Sequence, residues 1–286
     1  MSKIREPIII PYNPKNKLIR DVDLKEIFSD FNIKVDIKNI ELYRKALTHK
    51  SYQKKEFYNK NWEELQKAKD KMPNVLELRD ESNERLEFLG DTIIKAIIAK
   101  YLFERYPNED EGFMTRLKTK IENRESLARF AIKIRLDEFV LISSQNENSN
   151  IGRTNQKILE DAFESFLGAV YLDQGFEVCR DLITAILEHM VDYGEILYND
   201  TNYKDQLQRY YHTLKWEHPK FKLLSEKNLP DNKRLFTIGL LDNEGHVIYT
   251  ASEHSKKKAQ QKVSKIALYH FNQLEEDQMN DEDIEV

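Results

Sequence analysis

Asn83-Glu-Arg-Leu-Glu-Phe-Leu-Gly-Asp-Thr92 places three carboxylates, Glu84, Glu87 and Asp91, at the head of a long apolar run. Their spacings of three and four put all three on one face of a helix. Like charges stacked this way repel one another, and apolar neighbours deepen the penalty. The run continues through Ile93, Ile94, Ile97, Ile98, Leu102 and Phe103, so the stretch reads as a buried helix with one acidic stripe. A cation set against the stripe would relieve it, and Gly90 would let another backbone come close. The competing reading is an amphipathic helix with a solvated acidic edge. Against it, apolar residues surround the stripe instead of lying opposite.

A second stripe occurs downstream. Asp161 and Glu164 are three residues apart within Lys157-Ile-Leu-Glu-Asp-Ala-Phe-Glu-Ser-Phe-Leu-Gly-Ala-Val-Tyr-Leu-Asp173, and Gly168 follows one turn later. Lys157 stands one turn before Asp161, where it can pair with an acid or a phosphate. Two such helices packed together would gather Glu87, Asp91, Asp161 and Glu164. Four oxygen donors without His or Cys suit a hard divalent cation, Mg²⁺ or Mn²⁺.

Glu84-Arg-Leu-Glu-Phe-Leu-Gly-Asp91 resembles the signature of the ribonuclease III family of double-stranded-RNA endonucleases. Asp161-Ala-Phe-Glu-Ser-Phe-Leu-Gly-Ala169 resembles that family's second acidic motif, in the right order and spacing. The resemblance implies an all-α catalytic domain working as a homodimer. It implies metal ligation by Glu87, Asp91, Asp161 and Glu164, with Mg²⁺ as cofactor and Mn²⁺ able to substitute. Glu84, and Glu111 in Asp110-Glu-Gly112, match the family's outer acids near the scissile strand. The implied reaction is phosphodiester hydrolysis in double-stranded RNA, leaving 5′-phosphate and 3′-hydroxyl ends with short 3′ overhangs, for RNA processing or silencing. Apolar residues around Phe88, Phe163 and Phe166 are compatible with the dimer interface. Ala46-Leu-Thr-His-Lys-Ser-Tyr52 is similar to the end of the family's first helix, here expected over Ile37–Tyr52, with His49 packing or hydrogen-bonding near the active face.

The chain of 286 residues is long enough for two domains. An arm over residues 1–36, with Pro7, Pro11 and Pro14 and a short helix over Asp23–Phe31, precedes the catalytic domain at 37–195. Residues 53–82 carry seven basic and seven acidic side chains and read as a surface elaboration, in two helical pieces about Pro73. Met114–Phe130 reads as one amphipathic helix, and Gly175–Tyr193 as the last helix of this body. No apolar run approaches a membrane span, and Ile8-Ile-Ile10 is too short for a secretory core. The single cysteine, Cys179, excludes an internal disulfide and fits a reducing intracellular compartment, cytoplasm or nucleus.

A net charge of −5 argues against nucleic-acid binding until it is divided. Thr201–Phe271 holds thirteen Lys and Arg against seven Asp and Glu, whereas the tail, 275–286, has seven acids and no base. The basic module, 201–274, reads as a helix over Tyr203–Leu214 and three strands, Phe221–Leu224, Leu235–Leu241 and His246–Ala251. A hairpin turn, Asp242-Asn-Glu-Gly245, joins the last two, and a helix, Ser255–Leu274, follows. This α-β-β-β-α order resembles the double-stranded-RNA-binding domain, which reads A-form shape across two minor grooves. The overall expectation is a multidomain α and α+β protein.

The resemblance assigns RNA contacts to Lys204 and Gln208 of the first helix and to Lys256, Lys257 and Lys258 at the start of the last, where the helix dipole already favours phosphate. The module departs from its family at Lys204-Asp-Gln-Leu-Gln-Arg209, at the loop Ser225–Arg234 and at Ala251-Ser-Glu-His254. Three other functions compete. A non-cleaving double-stranded-RNA binder would have lost carboxylates. An all-helical prenyl-diphosphate synthase would need Asp-Asp-x-x-Asp motifs. A scaffold does not account for two acidic stripes within apolar runs.

Overall fold

Both acidic stretches are helical, Glu84–Arg105 over 22 residues and Gln156–Gln174 over 19. The computed structural model describes residues 10–55, 62–72, 74–149, 152–193, 202–229, 233–275 and 279. The chain divides into two units, Met1–Ile196 and Leu197–Val286. In order, the first carries α1 (Asp21–Ser29), α2 (Ile40–Ala46), α3 (Trp62–Asp70), α4 (Glu84–Arg105) and α5 (Glu111–Ile121). It continues with α6 (Arg124–Lys133), α7 (Ser144–Glu147), α8 (Gln156–Gln174) and α9 (Phe176–Met190). The second carries α10 (Tyr203–Thr213), strands β1 (Lys220–Asn228), β2 (Arg234–Leu241) and β3 (Val247–Glu253), and α11 (Lys256–His270).

α8 is the axis of the first unit. Ile158, Leu159, Ala162, Phe163, Phe166, Leu167 and Val170 are all buried, so apolar side chains leave it in every direction. A helix of that kind must be surrounded, and α2, α4, α6 and α9 pack around it. Phe163 and Phe166 are therefore core residues, 1% and 0% exposed. They are not available to a partner chain, which corrects their expected place at an interface; of the three phenylalanines only Phe88 is exposed, at 81%.

The backbone expected beside Gly90 is that of α8. A Cβ on Gly90 would lie 1.7 Å from the Glu164 carbonyl oxygen, and one on Gly168 would lie 2.4 Å from that of Leu86. Neither helix has room for a side chain where they cross.

Several expected helices are shorter or divided. The one expected over Ile37–Tyr52 ends at Ala46 and resumes as a 3₁₀ turn, Lys50–Tyr52. Between them the backbone leaves the helix to pair with a second segment: Leu141 N donates to Leu47 O and His49 N to Leu141 O. Met114–Phe130 is split into α5 and α6, because the Asn123 side chain accepts from Ser126 N and starts a new helix. Of the two helical pieces expected in 53–82, α3 forms, whereas Arg79 bridges Gln53 in extended backbone.

The elaboration and the arm are more than surface. Leu65 and Leu78 join Tyr12, Tyr52 and Leu141 in a small second core. The arm is fastened by buried asparagines: Asn13 Nδ2 and Asn16 Nδ2 donate to Ile142 O at 3.1 and 3.0 Å. Arg153 donates to Asn16 Oδ1 at 2.8 Å and to Val140 O, and pairs with Glu147 at 2.9 Å. Residues 1–9 of the arm, 56–61 of the elaboration, the linker 194–201 and the tail except 275 and 279 lie outside the described residues.

In the second unit the antiparallel sheet runs β1-β2-β3. α10 and α11 close a core of Leu207, Tyr211, Ile238, Leu240, Ala251, Ala259, Val263 and Ile266. β1 runs four residues beyond its expected end. After a register shift at Leu223/Ser225, Ser225–Asn228 pair with Thr237 back to Arg234. Much of the expected loop is thus strand, tied across the sheet by the hydroxyls of Ser225, Thr237 and Ser252. The hairpin turn forms as expected: Asp242 Oδ1 accepts from Glu244 N and His246 N, and Gly245 adopts φ +89°.

Candidate active site

The glycine crossing of α4 and α8 brings the two acidic stripes together. Ligand oxygens of Glu87, Asp161 and Glu164 all lie within 4.8 Å of one another. Asp161 and Glu164 are buried, and Glu87 is half-buried. Burial pushes the Glu164 carboxyl up to about 8, reinforced by the charges of Asp91, Glu160, Glu87 and Asp161. Burial also raises Glu87, with Asp161 adding to it. The site therefore lacks positive charge, and an all-oxygen donor set of this kind fits a hard divalent ion.

Two lysines partly supply that charge. Lys157 Nζ stands 2.6 Å from Asp161 Oδ1, 3.5 Å from Glu160 Oε2 and 3.7 Å from Glu87 Oε1. Burial works against its ammonium, but the bond to Asp161 and the surrounding charges outweigh that and hold its pKa above the ordinary lysine value. Asp91, expected in the same cluster, is turned to Lys95, whose Nζ donates to Asp91 Oδ2 at 2.7 Å. Asp91 nevertheless acts on Glu164 through its charge.

The outer acids stay apart from this cluster. Glu84 opens α4 exposed, taking Lys50 Nζ at 3.3 Å and Ser82 Oγ at 3.2 Å. Glu111 opens α5 exposed and accepts from Thr115 Oγ1 at 2.8 Å. His49 is partly buried, which lowers its pKa against the opposing charge of Asp161. Its Nδ1 accepts from Ser51 N at 3.2 Å, which places the neutral ring's proton on Nε2.

Three charged groups near the cluster escaped the sequence reading. Glu160 takes Arg124 Nε at 2.9 Å as well as Lys157. Lys95 follows Asp91 by one helical turn, a spacing that could have been read. Glu122, at the end of α5, acts on Lys95 through its charge. Nothing in the local sequence announces that approach.

In the second unit Lys256, Lys257 and Lys258 are exposed at the head of α11. Ser255 Oγ caps the helix at Lys258 N, and Lys256 Nζ lies 5.4 Å over the Phe236 ring. Gln208 is exposed on α10. Lys204 is held within the module, donating to Gln260 Oε1 at 2.9 Å above the Phe221 ring.

Known families match both units. A family model described as Ribonuclease-III-like matches residues 39–190, and one described as Double-stranded RNA binding motif matches residues 203–270. The "Probable ribonuclease 3" of Acanthamoeba polyphaga mimivirus is 39% identical over 267 residues, 92% of this chain and 47% of that protein. The chain thus spans about half the length of that relative. "Ribonuclease 3" of Nitratiruptor sp. is 34% identical over 228 residues, covering 80% of this chain and 88% of its own. "Ribonuclease 3" of Borreliella afzelii is 32% identical over 240 residues, covering 83% and 87%.

Proposed function

The chain belongs to the ribonuclease III family of endoribonucleases, and on that premise we propose that it cleaves double-stranded RNA at the centre formed by Glu87, Asp91, Asp161 and Glu164. The observation that carries this reading is the convergence of a half-buried carboxylate from α4 and two buried ones from α8 within 4.8 Å, at a crossing too close for any side chain. Those four residues would hold Mg²⁺, with Mn²⁺ able to substitute. When bound, such an ion activates water and offsets charge on the departing 3′ oxygen.

The chain's own residues do the remaining work. The glycine crossing fixes the separation of the carboxylates, so little reorganisation is left for the moment of reaction. Lys157 offsets Asp161 and Glu87. His49, held by Ser51 and near enough to Asp161 to feel its charge, packs beside the active face. Glu84 and Glu111 serve as outer acids near the scissile strand. Products carry 5′-phosphate and 3′-hydroxyl ends with short 3′ overhangs, as in RNA processing or silencing.

The second unit binds the duplex by shape and phosphate through Lys256, Lys257 and Lys258, with Gln208 reaching the minor groove. Lys204 serves α10 by packing before it serves RNA. One chain has one such acidic cluster among the described residues, so cutting both strands requires a second copy. Phe88, exposed beside Glu87, supports a homodimer face near the centre. No described helix is long and apolar enough to cross a membrane.

Incubation with a long labelled RNA duplex, in Mg²⁺ and in EDTA, tests the reading against a single-stranded control. Duplex-only, Mg²⁺-dependent cutting with 3′ overhangs is expected. Binding without cutting in both Mg²⁺ and Mn²⁺ would favour a sequestering protein.

A further inference from the structure

Among the described residues, Lys95 is the one lysine that holds a carboxylate expected to bind metal yet plays no part in the function proposed above. Its Nζ is 2.7 Å from Asp91 Oδ2, on a side chain half exposed to water. The charges of Glu122 and Glu164 also act on it. Glu122 arrives from α5 with a side chain only 17% exposed. Its Oε1 takes Lys118 Nζ at 3.1 Å, and its Oε2, shielded from water, has no hydrogen-bond partner among the described residues. A shielded carboxylate oxygen without a donor is costly, and a mobile cation that already feels its charge can relieve that cost.

We infer that Lys95 is a built-in competitor for the divalent ion: its ammonium holds Asp91 until the ion enters, then passes to Glu122 Oε2. The inference rests on the metal-centre reading above. An ammonium and a divalent ion cannot share one carboxylate at close range without strong repulsion, so ion entry has to displace the lysine. Its long flexible stem lets it swing, and the unpaired Glu122 oxygen gives it a destination that lowers the cost. The consequence is a centre with weaker ion affinity than four carboxylates alone would have, so that activity follows the free ion concentration.

Calorimetric titration of the full chain with Mg²⁺, repeated with Ca²⁺ and in the absence of RNA, tests this without relying on cleavage. Lys95→Met is expected to bind the ion about three- to fivefold more tightly, the range set by an ion pair partly open to water. Lys95→Gln, closer in polarity, should do the same, and Lys95→Arg should match the wild type. Glu122→Gln should bind about threefold more weakly, because the displaced ammonium loses its destination. Unchanged or weaker binding in both Lys95→Met and Lys95→Gln, with unchanged circular dichroism, would reduce Lys95 to a surface helix pair and overturn the inference. Wild-type affinity in Glu122→Gln would remove the hand-over. If the wild type takes up no ion and Glu164→Gln behaves identically, the metal-centre reading itself is what fails.

Discussion

Gly90 faces the backbone of Glu164 so closely that a single added carbon would sit 1.7 Å from its carbonyl oxygen. The residue that permits the helix crossing and a residue of the carboxylate cluster are thus in direct apposition. The obstacle is backbone, which cannot rotate away as a side chain would. Gly90→Ala is expected to lose about 3 kcal/mol or more of stability, at the upper end of overpacking costs, because α4 must move off α8. Urea denaturation measures the loss. Calorimetric Mg²⁺ titration of the folded fraction should show weaker binding, since the carboxylates move apart with the helices.

Glu164→Gln and Asp91→Asn keep side-chain volume and remove charge. Each is expected to lower single-turnover cleavage by about a thousandfold or more, since several kcal/mol of transition-state stabilisation would go with the ligand. Duplex binding in Ca²⁺ should persist, because Lys256, Lys257 and Lys258 belong to the other unit. A filter-binding assay separates the two effects. Loss of binding together with cleavage would make these acids structural.

The raised carboxyl of Glu164 has a consequence for stability in EDTA. The unfolded chain loses that proton near pH ~4.3, whereas the folded chain keeps it to about 8. Between those values the folded state binds more protons, so its stability falls as pH rises. Raised Glu87 acts in the same direction, and the lowered pKa of His49 acts oppositely. The difference in Tm between wild type and Glu164→Gln isolates the one group. It should move steadily against the wild type from about pH 5 to about pH 8. In Mg²⁺ the trend should reverse, since ion uptake is easier once the proton has gone.

Lys256→Ala with Lys257→Ala should weaken binding to all duplexes alike. The slope of log affinity against log salt should fall by about one for each phosphate that is no longer neutralised. An unchanged slope would mean that these exposed lysines face only solvent.

The two acidic helices were legible because paired carboxylates at helical spacing within apolar runs leave few alternatives, and glycine marked where the helices meet. The depth of Phe163 and Phe166 was not legible. α8 is apolar in every direction, so its periodicity points to no outer face. The docking of the arm was hidden for another reason. Asn13 and Asn16 look like loop residues, and their burial depends on Ile142 and Arg153, far along the chain. Asn123 could have been read as a helix cap, since Ser126 follows at the capping interval. The charge of Glu122 acts on Lys95 only after α4 and α5 have folded back on one another, a relationship no local window contains.

Asn13 meets Ile142 across 129 positions, and that separation sets a timetable. During synthesis the arm leaves the ribosome ahead of its fastening loop, which follows on the order of ten seconds later. Until then Tyr12, Leu65 and Leu78 have no Leu141 to cover them. α8 emerges directly behind that loop, so the strap and the axis of the first unit become available almost together. Closing so long a loop costs entropy before its contacts repay it. Tyr12 of the arm, waiting uncovered with Leu65 and Leu78, is the kind of transiently exposed apolar surface at which self-association would begin.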